Sequence, residues 1–333
     1  MRKLFIFTAL MLSAITMRAQ SEITRAEIQT RIDYTQEYLN GRSVGTNSGF
    51  NGKQFMFRMD GTLAEGFAYS FRQRVNRPTQ SSSLFDATDW LNVTYTKGPW
   101  SFSGGKQIVA IGGYEYERSP IDLFFCSEYW YHIACFQFAV SGSYEFNGSK
   151  DKLTFQISES PFRRDIYNPK NDNLLAYNLM LTETQDWYKC ISSANLFEYA
   201  PGKYICYIAL GYKFEVNDLS LELDFTDKYC NGNNAYSVVG NLVWAADDAL
   251  NVFVKCIYDY NQSVAEDICV PLGTDIYRAG AGVEYFPIKN SRNLRLHINY
   301  CYTDGKSSAA NALKPQQSII DAGLTWKIDF IKR

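Results

Sequence analysis

Long runs in which apolar and polar residues alternate one by one constrain this chain more than any other feature. Over residues 219–226, Leu219, Leu221, Leu223 and Phe225 interleave with Ser220, Glu222, Asp224 and Thr226. Near the end, Leu294, Leu296, Ile298, Tyr300 and Tyr302 interleave with Arg295, His297, Asn299 and Cys301. The last run sets Ile320, Ala322, Leu324, Trp326, Ile328 and Phe330 against Asp321, Gly323, Thr325, Lys327 and Asp329. Similar rows open the chain around Ile28, Ile32 and Tyr34, and recur at Phe55–Asp60 and Phe67–Arg72. A period of two puts successive side chains on opposite faces of an extended strand. Each run is therefore a strand with one apolar and one polar face.

A soluble β-sandwich alternates in the same way. Two features favour a membrane barrel. Several runs reach the about 9–11 residues that cross a bilayer at a tilt, longer than the about 5–6 of soluble strands. Aromatics also crowd the run ends, at Tyr95, Trp100, Phe146, Trp187, Tyr258, Tyr260, Tyr285 and Phe286, where an interfacial girdle places them. The runs number about sixteen, and their connections alternate short and long. Short turns on one side, long loops on the other and both termini on the short side describe an all-β transmembrane antiparallel barrel. Closing the sheet leaves no backbone donor or acceptor facing lipid. At that strand number the lumen holds water.

Composition agrees. The 333 residues carry 33 Lys+Arg against 35 Asp+Glu, a net charge of −2, which excludes a nucleic-acid surface held by bulk positive charge. Aromatics make up 16% and hydrophobic residues 46%, which excludes disorder. Mean hydropathy is −0.26, and past the N-terminus no stretch approaches the about 18 apolar residues of a spanning helix.

Residues 1–20 read as a secretory signal peptide: Arg2 and Lys3, an apolar run from Leu4 to Ile15, then a cut after Ala19 or Gln20. Residues 21–333 then form the barrel domain. Losing Arg2, Lys3 and Arg18 takes the net charge from −2 to −5. Eight cysteines (Cys126, Cys135, Cys190, Cys206, Cys230, Cys256, Cys269 and Cys301) form no CxxC, and several sit in strand alternation as small hydrophobes. Cys126 and Cys135 share a loop, which leaves a disulfide between them open. His132 and His297 stand far apart without a second ligand at metal spacing, so no metal or cofactor is expected.

No GxSxG, HExxH or phosphate-cradling loop is present, and Gly280-Ala281-Gly282 sits within strand alternation. An enzyme is therefore not expected. The loop from Lys106 to Ile133 is the most informative segment, because so long a connection is usually functional. It carries Glu115, Glu117, Asp122 and Glu128 against Lys106 and Arg118, and lies between the fifth and sixth strands, where it can fold into the lumen. Arg31, Arg58, Arg72 and Arg74 occupy polar positions of the early strands. Acids on the loop facing these bases predict an eyelet with a transverse field; the alternative is a charged wall that is merely solvated.

The segments Phe71–Asn76 (FRQRVN), Phe85–Trp90 (FDATDW) and above all Gly105–Phe125 (GKQIVAIGGYEYERSPIDLFF) resemble the phosphate-selective porin O and P family, in its Bacteroides-type members. The likeness is sharpest over about residues 50–145 and elsewhere is one of strand rhythm. It implies a sixteen-stranded porin of the Gram-negative outer membrane, commonly a trimer, with an inward loop and an arginine-lined wall favouring anions such as phosphate. Anion contact would then fall to Arg58, Arg72, Arg74 and Lys106. The acidic loop and the lack of a repeated basic ladder depart from that pattern. The expected function is passive diffusion of small hydrophilic solutes. The alternatives are a non-channel outer-membrane barrel, structural, adhesive or enzymatic, and a soluble β-protein that binds glycans. A plugged energy-coupled transporter needs more strands and a globular plug.

Overall fold

The computed structural model describes residues 21–332 except 77–84, 86, 149, 163–172, 231, 262–273 and 307–315. The expected signal peptide lies outside these residues, as does most of the loops after Asn76, Glu159, Asn261 and Lys306.

Sixteen strands form one sheet that closes on itself. In chain order they are β1 (Glu22–Leu39), β2 (Gly49–Ala64), β3 (Phe67–Arg74), β4 (Thr88–Lys97), β5 (Trp100–Ile108) and β6 (Phe136–Phe146). Then come β7 (Asp151–Glu159), β8 (Leu175–Thr184), β9 (Tyr188–Ala200), β10 (Lys203–Val216) and β11 (Leu219–Cys230). The last are β12 (Asn233–Asp247), β13 (Leu250–Asn261), β14 (Thr274–Tyr285), β15 (Leu294–Lys306) and β16 (Gln317–Lys332). Each strand pairs antiparallel with its sequence neighbours. The barrel shuts where β1 pairs with β16, from Arg25 opposite Lys332 to Leu39 opposite Gln317. A two-residue bridge, Arg42–Ser43, folds back onto the end of β1 in the first loop.

The alternation is inside out relative to a soluble protein. On β11, Leu221, Leu223 and Phe225 are 36%, 42% and 40% exposed on the outer row, while Glu222 and Asp224 are 6% and 7% exposed within. Among the described residues no helix is long and apolar enough to cross a membrane. At the short-turn end the outer row carries Trp100, Tyr144, Trp187, Trp244 and Trp326, each well exposed. Tyr204, Tyr229, Tyr277 and Tyr300 are exposed toward the opposite end. Two-residue turns separate β10 from β11 and β12 from β13. In the first of these Asn217 takes a left-handed φ of 51°, which a tight hairpin turn requires.

The alternation of short and long connections is not complete: Pro201-Gly202, on the long-loop side, is a two-residue turn, and β11 and β12 continue their pairing to Cys230 and Asn233. The long loop spans residues 109–135, and Lys106 belongs to β5.

Candidate channel constriction

The loop 109–135 folds into the lumen as an α-turn α1 (Tyr114–Glu117), a 3-10 turn (Pro120–Asp122) and α2 (Glu128–His132). It is fastened from its first residues. Ala110 N–H donates to Gln156 Oε1 at 2.8 Å, and Gly112 N–H to Ser193 Oγ at 2.9 Å. Gly113 N–H donates to the Ile191 carbonyl at 3.0 Å. The two oxygens of Asp224 accept the N–H groups of Tyr114 and Glu115, each at 2.7 Å, so a wall carboxylate satisfies the donors that open α1. Close approach here depends on glycine. A Cβ on Gly112 would lie 2.6 Å from the Ile191 carbonyl, and one on Gly211 would lie 2.7 Å from Gly113 Cα.

Charge then holds the rest of the loop to the wall from β11 to β15. Lys255 reaches Glu115 at 2.6 Å and the Phe125 carbonyl at 2.8 Å. Arg278 pairs with Glu128 and, at 2.8 Å, with Asp259. Arg295 bridges Asp122 at 2.9 Å and Glu284 at 2.8 Å, and Arg118 pairs with Glu222. From β1, Arg31 donates to the Leu123 carbonyl at 2.5 Å and stands 4.7 Å over the Phe124 ring, which stacks on Phe253 at 5.2 Å. Arg31 is itself held by Asp33 at 2.7 Å, and Asp33 also meets His297 at 3.0 Å. Apolar packing completes the seal. Val109, Ile111, Tyr129 and Ile133 of the loop join Phe197, Ile205 and Tyr207 of the wall in one buried cluster. Phe125 joins Val239, Phe253 and Ile257 in another.

The other half of the lumen stays open as a cavity of about 1060 Å³ between the loop and the β1–β5 wall. Its lining holds seven cationic side chains, Arg25, Arg58, Arg72, Arg74, Lys106, Arg118 and Lys327, against the four carboxylates Asp89, Glu117, Asp122 and Glu159. Arg58 and Arg72 are direct cross-strand partners, and Arg74 lies opposite Met56. Asp89 accepts Nε–H of Arg72 at 2.7 Å and of Arg74 at 2.8 Å, while Asp60 accepts that of Arg58 at 2.8 Å. Arg72 stacks 3.8 Å over Trp90, whose indole N–H donates to Ser70 Oγ at 2.8 Å. Two guanidinium groups sharing one carboxylate leave the patch positive.

The residues expected to face one another across an eyelet divide differently. Arg58, Arg72 and Arg74 do form one patch beside the cavity. Arg31 does not join it, being spent on Asp33 and the loop backbone. Lys106 donates to the Phe85 carbonyl at 2.5 Å, and its cross-strand partners Leu91 and Phe138 are on the outer row, so it stands at the margin. Of the loop acids, Glu115 and Glu128 turn away from the arginines because Lys255 and Arg278 lie on the far wall. Asp122 borders the cavity but is bound to Arg295. Glu117 is the loop acid exposed to the open passage, and enclosure raises its pKa above the ordinary glutamate value.

Cys126 and Cys135 are free thiols, which answers the open disulfide question. Burial pushes the Cys135 thiol up to about 11 and that of Cys126 higher still. Gly280 and Gly282 read correctly as close-packed strand: a Cβ on either would strike the Phe125 or Phe253 ring at 2.7 and 2.5 Å. Sequence reasoning missed Lys255, Arg278 and Asp224. Their signal was a charge on the inward row of the alternation, as Lys255 in NVFVKCIYDY.

Residues 25–174 match the family model described as phosphate-selective porin O and P. No match is found among curated proteins. Among solved structures the chain is similar to an anion-selective porin from Comamonas acidovorans, with 10% identity over 93% of this chain and 100% of that one, at a TM-score of 0.64. It is similar to the outer membrane channel DcaP of Acinetobacter baumannii, with 12% identity over 93% and 97% at a TM-score of 0.65. It is also similar to Salmonella typhi OmpF in complex with daunomycin, with 10% identity over 92% and 98% at 0.62. These likenesses carry the fold, and the family match covers the strands that build the arginine wall and the inward loop between them. The protein is an outer-membrane β-barrel channel, similar over residues 25–174 to the phosphate-selective porin O and P family.

Proposed function

We propose that this porin passes small hydrophilic solutes by passive diffusion with a weak preference for anions. The observation that carries the reading is the patch of Arg58, Arg72 and Arg74 on the open wall, while the Glu115 and Glu128 carboxylates are neutralised on the far side. Guanidinium groups stay charged at any working pH and suit phosphate and carboxylate oxygens. The carboxylates Asp60 and Asp89 engage these arginines through Nε, which leaves the terminal nitrogens of Arg58 and Arg74 for a passing anion. Lys106 and Arg118 add to the field at the margin of the cavity. Inorganic phosphate is one anion of the right chemistry.

The chain works as a homotrimer after removal of residues 1–20; a solved relative, OmpT of Vibrio cholerae, is described in a trimer form. Reversal potentials across a KCl gradient test the anion reading. The wild-type channel should prefer chloride weakly, and Arg72→Ala with Arg74→Ala should abolish that preference. A wild-type channel that prefers K⁺ and ignores the double change would remove the anion assignment and leave the porin standing.

A further inference from the structure

The cavity is lined by two chemically different groups of residues, cationic and aromatic. On the loop side and at its exit the cavity is lined by Trp130, Tyr131 and Phe136. Tyr131 is 54% exposed although it sits inside the barrel, and Trp130 meets it edge-on at 5.5 Å. Phe136 lies 5.4 Å from the Arg72 guanidinium and 5.9 Å from the Trp90 ring, so aromatic surface runs up to the arginines.

Tyr131 and the half-buried Trp130 stand outside the two apolar clusters that seat Phe124, Phe125 and Tyr129 against the far wall, and the Tyr131 ring lies 6.0 Å from the Arg278 guanidinium. Trp130 and Tyr131 follow Tyr129 directly, and α2 is held by Arg278 on Glu128 and by Ser127 Oγ accepting the Trp130 N–H at 3.2 Å. The rings are therefore carried on a fixed support. A cavity of about 1060 Å³ lies just above the range in which sites take organic molecules, about 300–1000 Å³, and so has room for one.

We infer that the constriction is a binding site for organic anions with a flat apolar body, aryl or heteroaryl phosphates and carboxylates, and not a filter tuned to inorganic phosphate. The anionic group meets the terminal nitrogens of Arg74 and Arg58, with Arg72 adding its charge behind them, while the ring lies against Trp130 and Tyr131. Stacking is tolerant of ring identity, because every aromatic has a π-face. The site therefore selects a class of solute and not one compound. This deepens the anion reading above and rests on it.

The test uses the full-length channel in planar bilayers in KCl, with phenyl phosphate, inorganic phosphate and phenyl glucoside as probes of current blockade. Phenyl phosphate should reside about tenfold longer than inorganic phosphate. Trp130→Ala with Tyr131→Ala should bring it down to the inorganic level, and Trp130→Phe with Tyr131→Phe should restore it. Open-channel conductance reports that each variant has assembled, and the phenylalanine pair covers the case in which the alanine pair does not. Equal residence of both phosphates, still shortened by Arg72→Ala with Arg74→Ala, would overturn the aryl site and keep the anion reading. Phosphate residence indifferent to the arginine change would overturn both. Blockade by phenyl glucoside as long as by phenyl phosphate would overturn the site as one for anions.

Discussion

The wall from β8 to β15 and the wall from β2 to β5 are made of the same alternating strands, yet they do opposite work. On the first, the inward row mixes Phe197, Ile205, Val239 and Phe253 with the charges Lys255, Arg278 and Arg295, and every one of these meets the loop or lies beside it. On the second, the inward row is polar, with Thr94 Oγ1 and Ser103 Oγ 2.7 Å apart and arginines bordering the cavity. The difference teaches that a porin lumen need not be uniform. One half behaves as a protein core that holds a loop in place, and the other as a solvated surface that a solute reads.

The largest effect should come from unfastening the clamped half. Lys255→Met leaves Glu115 buried without its cation, and breaking one side of a buried pair costs about 3–5 kcal/mol. The loop should detach, giving noisy and enlarged conductance together with heat-induced gel unfolding at lower temperature. Quiet wild-type currents would mean that the apolar seal alone holds the loop.

Next in size is the contrast between faces. Leu223→Lys places a charge on the lipid row and should cost about 2–4 kcal/mol near mid-bilayer. Ser103→Lys, on the open inward row, should assemble normally. Outer-membrane yield of folded barrel reads both, and equal yields would break the barrel orientation. Asn299 is polar too, but at 2% exposure it is not a fair control, because the lumen beside it is filled.

A smaller effect is expected at the loop's close approach. Gly112→Val would press a side chain against the Ile191 and Ala209 carbonyls, at about 1–3 kcal/mol for such overpacking. Single-channel conductance should shift while solute preference stays. Unchanged conductance and stability would show that the loop entrance can yield.

The smallest effect sharpens the open half. Because the Glu117 pKa is raised, it takes up its proton at milder acidity than an ordinary glutamate. Lowering pH therefore removes a negative charge from the passage and should increase anion preference. Reversal potentials in mildly acidic buffer should move toward chloride in the wild type and stay still in Glu117→Gln. Identical titration of the two would place Glu117 outside the conducting path.

Strand number, orientation and the position of the inward loop were legible in the sequence, because alternation at period two and connection length are local properties. The row of Leu221, Leu223 and Phe225 announces its lipid face without knowledge of any neighbour. The grouping of Arg58, Arg72 and Arg74 was legible too, since hairpin register carries them to adjacent strands. What the tertiary structure decided is where each loop acid points. Glu115 and Glu117 are two residues apart in sequence, yet one meets Lys255, 140 positions away, and the other faces the passage. The same is true of the half-buried Trp130 and the exposed Tyr131 beside the buried Tyr129. An irregular loop has no repeating period from which to read its faces. Its side chains are sorted by the wall it lies against, and that wall exists only once the barrel has closed.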